Sequence, residues 1–268
     1  MSVSQLWSLG FNSVDFAVST YTLKVLKSQH TVIPPSIAPN IQIPYLPGAY
    51  PFDRHSAPRQ ITLNCCILSE TSTADVISKR DLVLRTLNEP EPKALELGTD
   101  QGKYWMAQLD GASQGTWIGS RCLQFSLSFI CADPHAYDNT LTSLDFTQAT
   151  NPDTWSVTSA EAEGSQYSFP VVTMVPSGSP ANITVENDTT SETIVYGQAF
   201  TSGAGKWIRF DSARMIWEIS ADSGATWTAS MTTATGTYPR IKPGVQNDFI
   251  FTGFSGGTIN ISFRPRYL

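Results

Sequence analysis

Residues 121–132 read RCLQFSLSFICA, and this stretch decides the fold class. The odd-numbered residues from Leu123 to Phe129 are apolar, and the residues between them are polar. Successive side chains of an extended chain point to opposite faces, so this alternation predicts a β-strand with one face in a core. Similar short runs fill most of the sequence, which we therefore expect to be mainly β.

One stretch predicts a helix, namely STADVISKRDLVLRTLNE at 72–89. It has an apolar stripe at helical spacing, and Ser72 or Thr73 can cap its start. The stripe consists of Val76, Ile77, Val83, Leu84 and Leu87. The other segments of this half predict strands at 13–27, 60–68, 93–98, 103–111 and 121–132. We expect an N-terminal β-sandwich-like domain with one α-helix.

A proline-rich segment, TVIPPSIAPNIQIPYLPGAYPFDRHSAPR at 31–59, interrupts these strands. Its prolines argue against a helix and against most sheet pairing. It also contains many large apolar residues, which disordered linkers rarely do. We expect an extended arm that becomes ordered against another surface, such as a neighbouring subunit. The candidate subunit-interface residues are Ile37, Ile41, Ile43, Tyr45, Leu46 and Tyr50.

The sequence changes character after Asp138. Residues 139–165 are polar and rich in turn formers, and from 166 onward short apolar runs alternate with turn signals at fairly regular spacing. This spacing predicts a second domain built as a β-sandwich of jelly-roll-like type. The predicted domains are 1–140, which includes the arm, and 141–268.

Charge and cysteine content exclude several classes of function. The net charge is −6 and the basic residues are scattered, so we expect no specific nucleic-acid binding, which needs clustered Lys and Arg. No apolar run is long enough to span a bilayer, and the N-terminus does not resemble a signal peptide, so we expect no membrane insertion. The cysteines, at 65, 66, 122 and 131, are then expected to be reduced thiols.

The segment FICADPHAYD at 129–138 is the first candidate site, since it groups a thiol, a carboxylate, an imidazole and a phenol. Cys131, Asp133 and His135 would share one face of an extended chain and could hold a metal ion. The alternative is a structural strand end, with Asp133 accepting backbone N–H bonds in a turn and Tyr137 packing over the junction. No second histidine or acidic cluster lies nearby, so we favour the structural interpretation and expect no metal site.

The segment SADSGATW at 220–227 fits the Asp-box pattern S-x-D-x-G-x-T-W of sialidases. The motif is a hairpin in which Asp and Ser bond the turn backbone, and here it occurs once. A hairpin is therefore favoured over a glycosidase site. Trp155, Trp207 and Trp227 could bind a sugar or a docking partner, or could belong to the core. No nucleophile motif is present, so we expect no catalytic residues and no cofactor.

The order of these segments resembles the distal tail protein family of siphophages. The resemblance rests on the WSLGFNSVDF lead, the arm ending in RQITL, the single helix, KYWMAQLDG, the ending of the first domain and two C-terminal runs, YPRIKPGVQNDFIFTG and GGTINISFRPRYL. The ending of the first domain consists of Phe129, Cys131, Asp133, Pro134 and Tyr137, and the last strand carries Arg264, Arg266 and Tyr267.

This resemblance implies a non-enzymatic virion protein of the tail tip or baseplate, assembled in the host cytoplasm. It implies a homohexameric ring that joins the tail tube protein to the tail-tip hub protein and lets DNA pass. The C-terminal domain would be galectin-like and would serve host attachment, by docking a receptor-binding protein or touching a cell-wall saccharide. The alternatives left open are a carbohydrate-binding module for host cell-wall saccharide and a glycosidase.

Overall fold

The structure is a computed structural model that describes residues 8–37, 40–41, 50–51, 55–111, 113–230 and 234–268; for 40, 41, 50, 51 and 55 it describes the backbone alone. The chain divides into two compact units: the first ends at Asn139 and also takes in Leu268, and the second spans Thr140–Tyr267. Nearly all regular structure is antiparallel β-strand. The predicted mainly β fold is confirmed.

The N-terminal unit contains a curved antiparallel sheet. Its strands follow the order β2-β1-β9-β10-β12-β8-β3, with β11 paired to β12 and β13 paired to β10. Because β1 also contacts β3, at the far end of this order, the sheet curls around its own core. The strands of the unit are β1 (Leu9–Phe11), β2 (Val14–Asp15), β3 (Leu23–His30), β4 (Ser36–Ile37), β5 (Asn40–Ile41), β6 (Tyr50–Pro51), β7 (His55–Ser56), β8 (Arg59–Leu68), β9 (Lys93–Leu97), β10 (Lys103–Leu109), β11 (Gly115–Trp117), β12 (Cys122–Cys131) and β13 (Ala136–Asp138).

Strand β12 is the centre of this sheet, and it pairs with β8 over its whole length. Its odd-numbered residues from Leu123 to Cys131 are buried, while Ser126 and Ile130 are exposed. The sequence alternation in this strand therefore gives the predicted two-faced strand.

One helix, α1 (Thr73–Leu87), occurs among the described residues and packs against β8 and β12. Ser72 is its N-cap and accepts a hydrogen bond from the backbone N–H of Asp75, which satisfies one donor of the first turn. Val76, Val83 and Leu87 are buried as predicted, but Ile77 and Leu84 are partly exposed. The buried stripe is thus narrower than the sequence predicted.

The prediction of one strand over 13–27 is wrong. Residues 16–22 form turns between β2 and β3. The carboxylate of Asp15 accepts a hydrogen bond from the backbone N–H of Ala17, and Thr22 has a positive φ of 49°. These local bonds and the left-handed residue end the extended conformation, which apolar periodicity alone does not predict.

The C-terminal unit is a β-sandwich. Among the described residues, one sheet has the order β14-β24-β16-β19-β20-β21 and the other β15-β23-β17-β18-β22. The strands are β14 (Thr142–Thr147), β15 (Asp153–Val157), β16 (Val171–Pro176), β17 (Ile183–Asn187), β18 (Glu192–Tyr196), β19 (Trp207–Asp211), β20 (Ile216–Ser220), β21 (Thr228–Ala229), β22 (Ala234–Gly236), β23 (Asn247–Thr252), β24 (Gly257–Phe263) and β25 (Arg266–Tyr267).

Both sheets contribute buried apolar side chains to one core, which includes Met174, Phe210 and Trp217 from the first sheet and Val185 and Phe249 from the second. Strands β14 and β15 lie within the segment predicted to be turn-rich. They are edge strands in which only alternate residues, such as Phe146 and Trp155, pack against the core. Their polar outer residues explain why the sequence did not predict them.

In the part of the chain that the structure describes, no helix has the length and apolar character required to cross a membrane.

Candidate functional site: the arm, the end of β12 and the sandwich face

The proline-rich arm leaves the sheet after β3 and returns to it at β8. It is not simply extended as predicted, because β4 pairs with β7 and β5 pairs with β6 in two short antiparallel ladders. The backbone N–H of Ala57 also donates to the carbonyl of Pro35 at 2.7 Å. Pro51 takes part although it lacks an N–H, since its carbonyl can still accept in an edge ladder. The described parts of the arm therefore pair with each other as the two sides of a hairpin.

The root of this hairpin exposes large apolar side chains. Val32 is 83% exposed and Ile33 is 69% exposed, and Ile37 is about half exposed, whereas Pro34 is buried. Of the other predicted interface residues, Ile41 lies in β5 opposite Tyr50 in β6. Ile43, Tyr45 and Leu46 lie outside the described residues. Adjacent exposed apolar residues of this size indicate a contact surface.

A buried polar group supports the arm at its return. Arg59 is only 1% exposed and lies opposite Cys131 in the β8–β12 ladder. Burial lowers the pKa of its guanidinium, while Cys131 and the carboxylate of Asp100 oppose this effect. The Nε2 atom of His30, the residue from which the arm departs, lies 3.7 Å from the Asp100 carboxylate. His30 and Arg59, at the two ends of the arm, thus both interact with the carboxylate of Asp100.

The end of β12 is held by its own side chains. Phe129 is fully buried, with its ring centroid 5.7 Å from that of Phe11. Cys131 is also fully buried, and this burial raises the pKa of its thiol to about 12. A thiol in this state stays protonated at neutral pH and is a poor metal ligand or nucleophile.

Asp133 organises the residues that follow. Its carboxylate accepts a hydrogen bond from the backbone N–H of His135 at 3.2 Å and lies 2.6 Å from Nδ1 of the same residue. The hydroxyl of Tyr137 donates to its other oxygen, and Pro134 between them is buried. Among the described residues, no group of histidine, cysteine and acidic side chains has the arrangement of a metal site. The segment is arranged as a turn.

The three candidate tryptophans lie in different surroundings. Trp155 stacks on Phe146 with the ring centroids 5.0 Å apart, and its indole nitrogen is buried. Trp207 and Trp227 both lie against Gly224, where an added Cβ would come within 2.9 Å of Trp207 and 3.4 Å of Trp227. The structure therefore brings Trp207 and Trp227 together and leaves Trp155 as a packing residue.

The Asp-box segment forms a hairpin. Asp222 accepts hydrogen bonds from the hydroxyl and N–H of Thr226 and from the hydroxyl of Ser220, and these bonds lower the pKa of its carboxyl to about 2. Gly224 supplies the positive φ of 84° that the turn requires. The carboxylate is engaged by the turn itself, so the hairpin accounts for the motif.

Two groups of polar residues were not predicted from the sequence. Glu218, which is buried, accepts from Nε of Arg209 at 2.7 Å and from Nη1 of Arg214 at 3.1 Å. The second group centres on buried Asn247, whose side chain bonds the backbone of Lys242 and Val245 and the amide of Asn187. Asn247 thus holds the loop of the PGVQN motif closed. Only cross-strand register places the Arg209–Glu218 pair together, and one sequence does not supply that register.

Comparisons with known proteins agree with this architecture. Residues 16–131, which lie within the N-terminal unit, match the family described as Phage tail protein RIFT-related domain. No curated protein matches the chain by sequence. The predicted resemblance to siphophage distal tail proteins is confirmed by the domain and by the fold.

Solved phage structures share the fold over nearly the full length. The crystal structure of SPP1 Dit (gp 19.1), described as a paradigm of the hub adsorption apparatus in Gram-positive infecting phages, matches with a TM-score of 0.73 and 12% identity, covering 98% of this chain and 100% of that chain. The phage P2 baseplate in its activated conformation with Ca matches at 0.55 and 9% identity over 97% of both chains. The phage p2 baseplate with Sr matches at 0.54 and 10% identity, over 96% and 97%. At this level of identity, these matches show a common fold.

Proposed function

We propose that this chain is a distal tail protein of a siphophage, a structural component of the tail tip. The phage tail domain at 16–131, within a chain that shares its fold with SPP1 Dit from end to end, is the observation that carries the proposal. The protein would form a homohexameric ring that joins the tail tube protein above to the tail-tip hub protein below. It would assemble in the host cytoplasm and remain in the virion.

The N-terminal unit is the proposed ring-forming part. A ring requires heterologous contacts, in which one surface of a subunit meets a different surface of the next. The hairpin arm supplies one such surface, since Val32 and Ile33 are exposed at its root. The edge strand β11 supplies a second type of surface, because among the described strands it pairs with β12 alone and it exposes the Trp117 side chain. Burying such groups between copies would stabilise the ring.

The overall charge of the chain supports the proposed passage of DNA through the ring. The chain carries 23 acidic and 17 basic residues, for a net charge of −6. A basic channel would hold DNA through contacts with its phosphates, whereas an acidic chain lets it slide. The C-terminal sandwich is the proposed outward-facing module for host attachment, by docking a receptor-binding protein or by contact with a cell-wall saccharide. We also propose that this sandwich is galectin-like and that the protein is not an enzyme.

The proposal is tested by deleting the arm in the phage. We expect that removal of Thr31–Pro58, with a short glycine linker joining β3 to β8, prevents completion of tail tips and abolishes infectivity. The control replaces Ser223 and Ala225, in the exposed tip of the Asp-box hairpin, by glycine and leaves the arm intact. Infectious particles with complete tail tips from the deleted chain would contradict the proposal.

A further inference from the structure

Four polar residues form a row across the six-stranded sheet of the C-terminal unit. Asn260 lies opposite Thr173, Thr173 opposite Arg209, and Arg209 opposite Glu218. Residues directly opposite in antiparallel strands project from the same face. Phe210, the next residue after Arg209, is buried in the core, so the row lies on the outer face of the sheet.

Glu218 is the fixed point of this row. Its side chain is only 7% exposed, and two arginines hold both carboxylate oxygens: Arg209 through Nε at 2.7 Å and Arg214 through Nη1 at 3.1 Å. A buried carboxylate held from two sides has one orientation, and it fixes the guanidinium groups that bind it.

Arg209 is fixed a second time by an aromatic ring. The carbon centre of its guanidinium lies 4.0 Å from the ring centroid of Trp227, which the Asp-box hairpin holds beside Gly224. Its side chain is 26% exposed. Among the described residues, none accepts a hydrogen bond from its Nη1 or Nη2, and neither atom is buried. The outer edge of the guanidinium therefore presents N–H donors to solvent in a rigid plane.

The neighbours of this edge offer complementary groups. Trp207 lies on the same face of β19, two residues before Arg209, and is half-buried. Asn260 donates two hydrogen bonds from Nδ2, to Ser143 and Asp145, and no described residue donates to its amide oxygen. Thr173 adds a hydroxyl between Asn260 and Arg209. The face thus combines fixed donors, an acceptor and an indole ring.

We propose that this face, from Asn260 to Trp207 with Arg209 at its centre, binds a saccharide. Fixed donors and acceptors recognise pairs of sugar hydroxyls, and an indole ring packs on the apolar C–H face of a pyranose. Two arginines, Arg209 and Arg214, are balanced on this face by the carboxylates of Glu218 and Asp145. A neutral sugar therefore fits better than an anionic one. This inference rests on the proposed attachment role of the C-terminal unit, for which it names the ligand class and the binding face, and it does not require the ring.

The test measures binding of the full chain to an array of neutral, sialylated and sulfated oligosaccharides, followed by calorimetric titration with the neutral oligosaccharide that gives the strongest signal. We expect saturable binding to a neutral oligosaccharide and at least about tenfold weaker binding for Arg209→Lys, which keeps the charge but loses the planar fork. Thr173→Val provides a second variant that leaves the Arg209–Glu218 pair intact, and it too should bind more weakly.

Arg240→Lys is the matched control. Arg240 also donates through Nε to a buried glutamate, Glu192, at 2.7 Å, and lies 4.6 Å from the ring centroid of Tyr167. It has the same chemistry away from this row, so its replacement should leave the affinity unchanged. The proposal is overturned if the wild type binds no oligosaccharide, if it binds only the anionic ones, or if Arg209→Lys binds as well as Arg240→Lys. None of these outcomes bears on ring assembly, which is measured by mass.

Discussion

The exposed root of the arm gives the sharpest prediction about assembly. Val32 and Ile33 are 83% and 69% exposed, so replacing both by serine removes little buried surface from the single chain. Full burial of such a side chain contributes about 1.5–3 kcal/mol, so burial of both in a subunit contact would contribute about 3 kcal/mol. The double variant should therefore weaken each contact by about 100-fold.

Light scattering coupled to size-exclusion chromatography measures this effect. Wild-type protein and Met215→Ser, which removes an exposed apolar side chain from the C-terminal unit, should give the same assembled mass at the same concentration. The Val32→Ser, Ile33→Ser variant should elute as a single chain of 29.3 kDa with an unchanged thermal midpoint. Assembly of this variant at wild-type concentration would refute the reasoning, because the root of the arm would then lie outside the contact.

Three further predictions concern single side chains. Hydrogen bonds lower the pKa of the Asp222 carboxyl to about 2, below its value of about 3.9 in an unfolded chain, so its stabilising contribution is present above pH about 4 and is lost as the pH falls toward 2. The thermal midpoint of the wild type should fall over this pH range, and that of Asp222→Asn should lack this loss. Parallel curves of thermal midpoint against pH for the two proteins would contradict the prediction. Burial raises the pKa values of the Cys65 and Cys131 thiols to about 12, so iodoacetamide at pH 8 should label the half-exposed Cys122 alone in the native protein. Mass spectrometry identifies the labelled cysteine, and early labelling of Cys131 would be inconsistent with its burial. Asn247→Ala removes the hydrogen bonds to the backbone of Lys242 and should lower the free energy of unfolding, measured by urea denaturation, by about 3 kcal/mol. The control Val245→Ala, at an exposed position of the same loop, should change it little. A loss below about 1 kcal/mol for Asn247→Ala would show that the loop keeps its structure without this amide.

The sequence predicted those elements whose pattern is local. Strand β12 alternates strictly, and helix α1 has a cap and an apolar stripe, so both appear close to their predicted bounds. The Asp-box hairpin was predicted for the same reason, since the bonds of the Ser220 and Asp222 side chains that shape its turn lie within seven consecutive residues. Residue type and spacing are enough where the interacting groups are neighbours in the chain.

Elements that depend on distant partners were missed. The arm was expected to be extended because its prolines disfavour pairing, yet β4 pairs with β7 and β5 pairs with β6. Edge strands β14 and β15 have only one buried face and read as polar turns. The Arg209–Glu218 pair requires the register of β19 against β20, which becomes known only with the fold.

The domain-ending segment at 129–138 illustrates the limit of motif interpretation. Its thiol, carboxylate, imidazole and phenol invite a metal or catalytic role, but the thiol of Cys131 points into the core. The carboxylate of Asp133 is engaged by His135 and Tyr137 in a turn. Strand parity predicted the first of these facts, and proline geometry at Pro134 predicted the turn.

We propose above that copies of this chain assemble through contacts between their N-terminal units. Native mass spectrometry of the purified full chain over a range of concentrations tests it most directly. The account predicts a dominant species at six times the chain mass of 29.3 kDa, which dissociates cooperatively on dilution. A single-chain mass at every concentration measured would contradict it.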